Sequence, residues 1–447
     1  MRKAVAVVAV AMGVVLLGVT TTALLTRPTP AVSTDGSGGG VTGSAAAGTA
    51  SPGGAADPLT ASIAKAQRTL QTSPSDWQTW ALLGAAYVEQ ARLSADPSYY
   101  PKSEGALSTS LELHPQDNFQ ALTGMGALAN ARHEFAKAAD YARRAEVINP
   151  ASPGTFGVLT DALVQLGDYG GATAAVQTML NLDPGVSSLT RASYDRELHG
   201  LTDAAAALLQ RALMSTSTAS DIAFCRTYLG QLAFTTGNLD EAAAQYRGGL
   251  AAVPGDPGLL YGQAQVDAAR GNTDAAVAGY QQVVNVRPLP QYLVEYGELL
   301  ESLGRATAAQ AQYTLFATSQ KLFAANGVQD NLTAALLDAN RGDASGAVRN
   351  GEAEWAARHN IDAADALAWA LHSAGRDAEA LPYAQQATAL GTKNASFLYH
   401  RGVIEAAVGQ PAQARATLSA ALATNPHFSP LYAPRAQAAL AQLGGPV

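Results

Sequence analysis

The stretch LGDYGGATAAVQTMLNLDP (residues 166–184) decides the fold, because two similar stretches follow it. Residues 237–254 read GNLDEAAAQYRGGLAAVP, and residues 271–288 read GNTDAAVAGYQQVVNVRP. Each has a glycine followed by Asp or Asn, then an alanine-rich run, then a proline. Glycine accepts the positive φ that ends a helix, and proline cannot continue a helix interior. The pattern predicts a helix between a glycine turn and a closing proline.

The same turn recurs along most of the chain with a nearly constant period. Glycines at spacings of 33 to 38 residues mark it: Gly167, Gly200, Gly237, Gly271, Gly304, Gly342, Gly375 and Gly409. A small residue follows in each second helix, at Ala138, Ala172, Ala242, Ala276, Ala309, Ala347, Ala380 and Ala414, and a larger one four positions later, at Val176, Tyr246, Tyr280, Tyr313 and Leu418. Such a period is typical of stacked helix–turn–helix units, in which alanine lets two helices approach closely.

One first helix carries a known signature. WALLGAAY (residues 80–87) resembles the W-x-x-L-G-x-x-Y pattern of the tetratricopeptide repeat, and RTYLGQLA (residues 226–233) keeps its Leu-Gly pair. The resemblance covers residues 58–440 and implies an all-α fold, a right-handed superhelical α-solenoid of about ten repeats. The units are predicted to begin near Trp77, Phe119, Pro153, Ser187, Ala223, Pro257, Pro290, Val328, Ile361 and Ala395.

Several units depart from the pattern. The second has His133 in place of the turn glycine, and the fourth lacks a clear first-helix signature. LTASIAKAQRTLQ (residues 59–71) reads as a lone second helix, and LYAPRAQAALAQL (residues 431–443) reads as a closing cap. Solenoids need such caps because a terminal unit otherwise leaves its apolar face bare.

The amino terminus predicts a membrane segment. Residues 4–25 are apolar and follow Arg2 and Lys3; as a helix they would span about 33 Å, enough to cross a bilayer core. We predict an anchor or signal segment at 1–27, a disordered Gly/Ser/Ala-rich linker at 28–57, the solenoid at 58–440 and a tail at 441–447. The expected location is the cell membrane, single-pass with the repeats extracytoplasmic; secretion after signal cleavage is the alternative.

The composition of the chain and the motifs that it lacks argue against several other classes of protein. The net charge is −8 and no Lys/Arg-rich run follows the first three residues, so a nucleic-acid groove is not expected. The single cysteine, Cys225, permits no intrachain disulfide and reads as a small core residue. The sequence has no H-E-x-x-H, phosphate-binding loop or G-x-S-x-G motif, so we expect no metal, no cofactor and no catalysis.

The resemblance implies a scaffold that binds a protein or peptide partner in its concave groove. First-helix positions spaced by three and four residues share one face, and we predict partner-binding groove residues at Asp161, Arg191, Asp195, Phe224, Gln231, Tyr261, Gln265, Glu298, Glu301 and Trp369. Some relatives bind a C-terminal carboxylate through cations, but the matching positions are Ala81, Ala85 and Thr123. The acidic and polar groove favours a basic or hydrogen-bonding partner.

Two other functions stay open at this stage. One is a small-molecule sensor, or an accessory subunit of an envelope enzyme or transporter complex. The other is a hydrolase with an unrecognised site. The sequence makes no prediction of the oligomeric state.

Overall fold

A computed structural model describes residues 58–446, and this part of the chain is all-helical. Its helices follow one another in the order α1 (Pro58–Thr72), α2 (Trp77–Ser94), α3 (Tyr99–Leu113), α4 (Phe119–Ala131), α5 (Phe135–Ile148), α6 (Pro153–Leu166), α7 (Tyr169–Leu182), α8 (Val186–Leu198), α9 (Thr202–Met214), α10 (Ala219–Thr235), α11 (Leu239–Ala252), α12 (Pro257–Ala269), α13 (Thr273–Val286), α14 (Pro290–Ser302), α15 (Ala306–Ala324), α16 (Asn331–Arg341), α17 (Ala344–Ala357), α18 (Ile361–Ser373), α19 (Asp377–Ala387), α20 (Ala395–Ala407), α21 (Pro411–Thr424) and α22 (Tyr432–Gln442).

Ten antiparallel hairpins make up the array, as predicted. The even-numbered helices from α2 to α20 are first helices, and each packs on the second helix that follows it. Most first helices begin where the sequence places them; α8, α10 and α16 begin at Val186, Ala219 and Asn331, up to four residues from the predicted starts. Helix α1 packs on α2, and α22 packs on α21, so both ends of the array are covered.

The turn residues behave as their chemistry dictates. All eight periodic glycines have φ between 71° and 83°, and His133 takes their place in the second unit with φ of 61°. Side chains of Asp, Asn, Ser and Thr cap the amino ends of many helices; Asp168, for example, accepts from the Gly171 N–H at 2.9 Å. The eight repeated alanines are buried, which confirms that they lie at the contact between paired helices.

First helices form the inner layer of the solenoid. Eight pairs of consecutive first helices contact each other, from α2 with α4 to α18 with α20. In a curved stack the inner layer has the shorter path, so its helices lie closer together. We call the surface of these first helices the inner face.

The array curves so tightly that its second turn lies against its first. Residues separated by 191 to 196 positions touch along a line that we call the seam, at Leu93–Arg287, His133–Gln329, Gln165–Asn360, Tyr169–Ile361, Leu198–Thr392 and Phe234–Asn425. The sequence does not predict the seam, because its contacts join loops of units that are far apart.

The seam is closely packed at its centre. The Arg358 side chain, almost completely buried, pairs with Glu354 and donates to Gln165 in the first turn. Gly167 lies beneath it, and a Cβ on this glycine would overlap the His359 carbonyl oxygen. The turn glycine thus serves two purposes, ending α6 and admitting the backbone of a distant unit.

The predicted N-terminal hydrophobic helix lies outside the described residues. Within residues 58–446, no helix combines the length and the apolar character needed to span a bilayer.

Candidate functional site

Six of the ten predicted groove residues are buried and the other four are half-buried. The buried ones are Asp161, Arg191, Asp195, Tyr261, Gln265 and Trp369; the half-buried ones are Phe224, Gln231, Glu298 and Glu301. The tight superhelix causes this, since inner-face side chains pack against those of neighbouring units. Their role as partner-binding residues stays a prediction.

Asp161 and Arg191 form a buried ion pair between α6 and α8. Arg191 donates from Nε to Asp161 Oδ1 at 2.9 Å and from Nη2 to Oδ2 at 2.8 Å. Burial raises the pKa of Asp161, although the adjacent guanidinium opposes this. A bidentate pair of this kind fixes the spacing of two units. Next to it, Asp195 accepts from Thr173 Oγ1 at 2.6 Å, while its Oδ2 lies 3.3 Å from Arg196.

Tyr261 and Gln265 on α12 converge on a carboxylate that the sequence analysis missed. Glu295 of α14 accepts from Tyr261 Oη, from Gln265 Nε2 at 3.0 Å and from Tyr280 Oη at 3.2 Å. The Tyr261 ring also packs against the Tyr292 ring, with centroids 4.3 Å apart and the ring planes tilted by 34°. Burial raises the pKa of Glu295, opposed by these three hydrogen bonds. Glu295 was missed because it lies one position beyond the assumed groove position in its unit.

Glu298 and Glu301 continue the acidic row along α14. Glu301 pairs with Arg341 at 3.1 Å and accepts from Tyr313 Oη at 3.1 Å. Glu298 has a weaker contact, Asn340 Nδ2 at 3.4 Å from Oε1. Burial, followed by the negative charges of Glu295 and Glu301, raises the pKa of Glu298 to about 8.

Trp369 belongs to a packed aromatic cluster near the C-terminal end. Its Nε1 donates to Asn340 Oδ1 at 2.7 Å, and its ring stacks on His400 with centroids 4.2 Å apart. Tyr399 and Tyr432 pack into the same cluster. Asn340 therefore joins the Trp369 cluster to Glu298, since the two ends of its amide contact one each.

In the fourth unit the inner-face residues are displaced by one position from those predicted. Helix α8 starts at Val186, which places Tyr194 and Glu197 where Asp195 and Leu198 were expected. Burial and the charge of Asp362, in the ninth unit, raise the pKa of Glu197 to about 7. Counting back fourteen residues from Gly200, the spacing between Pro153 and Gly167 in the third unit, gives the observed start at Val186.

Phe224 and Gln231 lie on α10, half-buried, and Phe224 makes an edge contact with Tyr228 at 4.8 Å between centroids. On the same helix, Cys225 is fully buried, as predicted. Burial raises the pKa of its thiol to about 12, so the sulfur is neither a thiolate nucleophile nor a ready metal ligand. Among residues 58–446, no three His, Cys, Asp or Glu side chains are grouped to hold a metal ion.

A cavity of about 190 Å³ opens between the first turn and the C-terminal cap. Gln265 and Glu295 line it from the first turn, together with Phe234 and Tyr280. The opposite wall is residues 426–430 and the start of α22, which the seam contact between Asn425 and Phe234 holds in place. The cavity therefore brings two superhelical turns together around the Glu295 carboxylate.

These features define an α-solenoid built from helical hairpins. Residues 189–257 match the model of the tetratricopeptide repeat, which confirms the predicted resemblance for this segment of the chain. The matched residues cover the fourth and fifth units. No curated protein matches the chain significantly.

Solved structures to which this chain is similar include three that differ widely in origin. A thermophilic TPR protein from Thermus thermophilus is 23% identical, with 42% of this chain and 98% of that chain covered and a TM-score of 0.38. A tetratricopeptide repeat protein from Parabacteroides merdae is 19% identical, with 58% and 99% covered and a TM-score of 0.34. The human IFIT1 dimer with m7Gppp-AAAA is 15% identical, with 74% and 76% covered and a TM-score of 0.45. These likenesses concern the fold alone.

Proposed function

We propose that this chain is a non-catalytic scaffold that binds a basic segment of a peptide or protein partner, on the extracytoplasmic side of the membrane. Tetratricopeptide repeats generally mediate protein–protein interaction. The observation that carries the choice of partner is the carboxylate row of α14, formed by Glu295, Glu298 and Glu301. Of these three, Glu301 alone has an ion-pair partner among the described residues.

Uncompensated carboxylates in a partly desolvated surface favour a positively charged partner. Charges there are poorly screened, so a cation gains more than it would in water. The raised pKa of Glu298 adds a consequence: a bound cation stabilises its ionised form, so binding near neutral pH releases a proton. The extracytoplasmic location rests on the apolar residues 4–25 and the linker that follows them.

Crosslinking in intact cells, followed by pull-down, tests the partner. We expect wild type to capture a protein that the double variant Glu298→Gln/Glu301→Gln loses. The matched control, Glu112→Gln/Asp274→Asn, removes two exposed carboxylates of second helices and should capture it as wild type does. If both double variants lose the partner equally, the loss is an effect of net charge and not of the α14 carboxylates. Equal capture of the partner by all three proteins would overturn the proposal.

Thiol labelling tests the location. Cys225 is fully buried and gives no background, so the exposed Ser217 can be replaced by cysteine as a reporter. We expect Ser217→Cys to react with a membrane-impermeant maleimide in intact cells, and wild type not to react. Labelling that appears only after lysis would place the repeats on the cytoplasmic side of the membrane and contradict the proposal.

A further inference from the structure

The cavity beside Glu295 contains a buried hydrogen-bond acceptor with no partner. Gln265 is 8% exposed and lines the cavity, and its Oε1 has no hydrogen-bond partner among the described residues. The amide orientation is fixed by chemistry, because Nε2 donates to Glu295 Oε2 at 3.0 Å and to Tyr261 Oη at 2.9 Å. An unpartnered buried oxygen destabilises the fold, so a ligand that donates a hydrogen bond to it is stabilised in the cavity.

The surroundings of the cavity also favour a ligand that carries a positive charge. Glu295 accepts three hydrogen bonds from neutral donors and has no ion pair within residues 58–446. Neutral donors stabilise a carboxylate but do not cancel its charge. Its titratable neighbours on α14 are acidic, since Glu298 lies one helical turn away and Glu301 follows; His427 lines the opposite wall of the cavity, and Arg435 of α22 faces Glu298. A ligand in the cavity is therefore favoured if it is both a donor and a cation.

The cavity walls restrict the shape of that cation. Phe234 and Phe428 line the cavity together with Tyr280, and Pro430 and Pro434 complete its apolar side. Aromatic rings attract cations, and the planar guanidinium stacks on them. The guanidinium also presents five donors in a fixed fork, which suits two acceptors at different angles. An ammonium is a compact, strongly hydrated charge and uses such walls less well.

The size of the cavity restricts the ligand further. Pockets for cofactors and drug-sized molecules enclose about 300–1,000 Å³, whereas this cavity has about 190 Å³ and is open to solvent on one side. It fits one side chain that enters from a larger partner.

We propose that this cavity is a binding site for an arginine side chain of the partner, with its guanidinium donating to Gln265 Oε1 and the Glu295 carboxylate. This inference rests on the proposed function, because it assigns one contact of the scaffold with its partner. One wall of the cavity belongs to the C-terminal cap and the other to the first superhelical turn. The binding site therefore forms only where the two turns lie against each other.

A ligand-detected NMR titration of the full chain in detergent solution tests the site without knowledge of the partner. The probe is N-acetyl-arginine amide, compared with the neutral isostere N-acetyl-citrulline amide and with N-acetyl-lysine amide. We expect saturable binding of the arginine probe, at least about tenfold weaker in Glu295→Gln, since the charge-assisted contacts are lost. Asp274→Asn, an exposed carboxylate of α13 outside the cavity wall, should bind within about twofold of wild type.

The outcomes separate this site from the scaffold function. Absence of saturable binding, equal binding of citrulline or tighter binding of lysine would each overturn the arginine site. If the partner is still captured in cells, the scaffold function survives that result. If the arginine probe binds as expected but no partner is captured, the site stands and the scaffold function fails. Circular dichroism melting of Glu295→Gln must match wild type, and Gln265→Leu, which removes the free acceptor, should also weaken binding.

Discussion

Asn425 Nδ2 donates a hydrogen bond to the carbonyl oxygen of Phe234, at 2.8 Å and across 191 residues of sequence. The Asn425 side chain is buried, and its Oδ1 accepts from the His427 N–H at 2.8 Å. One side chain thus holds the C-terminal wall of the cavity and attaches it to the first superhelical turn.

Replacing Asn425 by alanine should loosen the end of the array. We expect a loss of about 2 kcal/mol, because the hydrogen bonds of the Asn425 side chain to the Phe234 carbonyl oxygen and from the His427 N–H are both lost. Hydrogen exchange should rise first in α22 and in residues 426–430. The control, Asn285→Ala, removes an exposed asparagine whose contact is local to α13. If both variants exchange alike at the C-terminal end, the Asn425 contact does not hold the seam.

Two glycine substitutions separate helix termination from seam packing. Gly167 and Gly342 have φ of 78° and 83°, but a Cβ at Gly167 would overlap the His359 carbonyl oxygen while a Cβ at Gly342 meets nothing within 4 Å. Both alanine variants incur about 1–2 kcal/mol from the left-handed backbone. Gly167→Ala should lose clearly more stability in urea unfolding. Equal urea midpoints for the two variants would show that the seam at Gly167 accommodates the added methyl group without loss of stability.

Tyr246 fills the contact between the fifth and sixth units. It is fully buried between Gly230 and Gly262, and its hydroxyl has no hydrogen-bond partner among the described residues. We expect Tyr246→Phe to be neutral or stabilising, because it removes an unpartnered buried hydroxyl, and Tyr246→Ala to lose about 3–5 kcal/mol. Thermal melting compares the two. Destabilisation by more than about 1 kcal/mol in Tyr246→Phe would imply that the hydroxyl is hydrogen-bonded.

The stability of the fold should fall as the pH rises through the range in which Glu298 titrates. The folded-state pKa of Glu298 is about 8, above its ordinary value of 4.5, so the folded chain holds a proton that the unfolded chain has released. The contribution of Glu298 to the free energy of unfolding therefore decreases between about pH 4.5 and pH 8. Its surroundings are Glu295 and Glu301 on its own helix, with Asn340 of α16 and Arg435 of α22 facing it.

Melting temperatures at pH 5.5 and 8.5 check this sign. Glu298→Gln should reduce the loss between the two values and should be more stable than wild type at pH 8.5. Glu352→Gln, at an exposed position of α17, is the control and should retain the wild-type loss. An unchanged pH dependence in Glu298→Gln would assign the effect to other groups, of which Glu197 is the first to test.

Much of the fold could be predicted from the sequence because its contacts are local. Turn glycines, repeated alanines and closing prolines act within one unit of about 34 residues, so each leaves a periodic mark. The ten helical hairpins follow from such marks. The starts of α8, α10 and α16 lie one, four and three residues from the predicted ones, because a helix start depends on its own capping residues and not on the repeat period.

The candidate site was predicted less completely. The sequence named Tyr261, Gln265 and Glu298, but not Glu295, which accepts hydrogen bonds from the first two. It treated the groove as open, whereas the structure packs six of the ten residues.

The sequence by itself determined the unit, its two-helix form and the number of copies, because helix propensity and turn chemistry depend on nearby residues. Only the tertiary structure decided the curvature, the seam and the cavity. A small rotation between neighbouring units, set by side-chain packing, accumulates over the array until residues about 194 apart meet, as Leu198 and Thr392 do. No local pattern records that sum, so the partners of Gln165, Phe234 and Glu295 became known only from the folded chain.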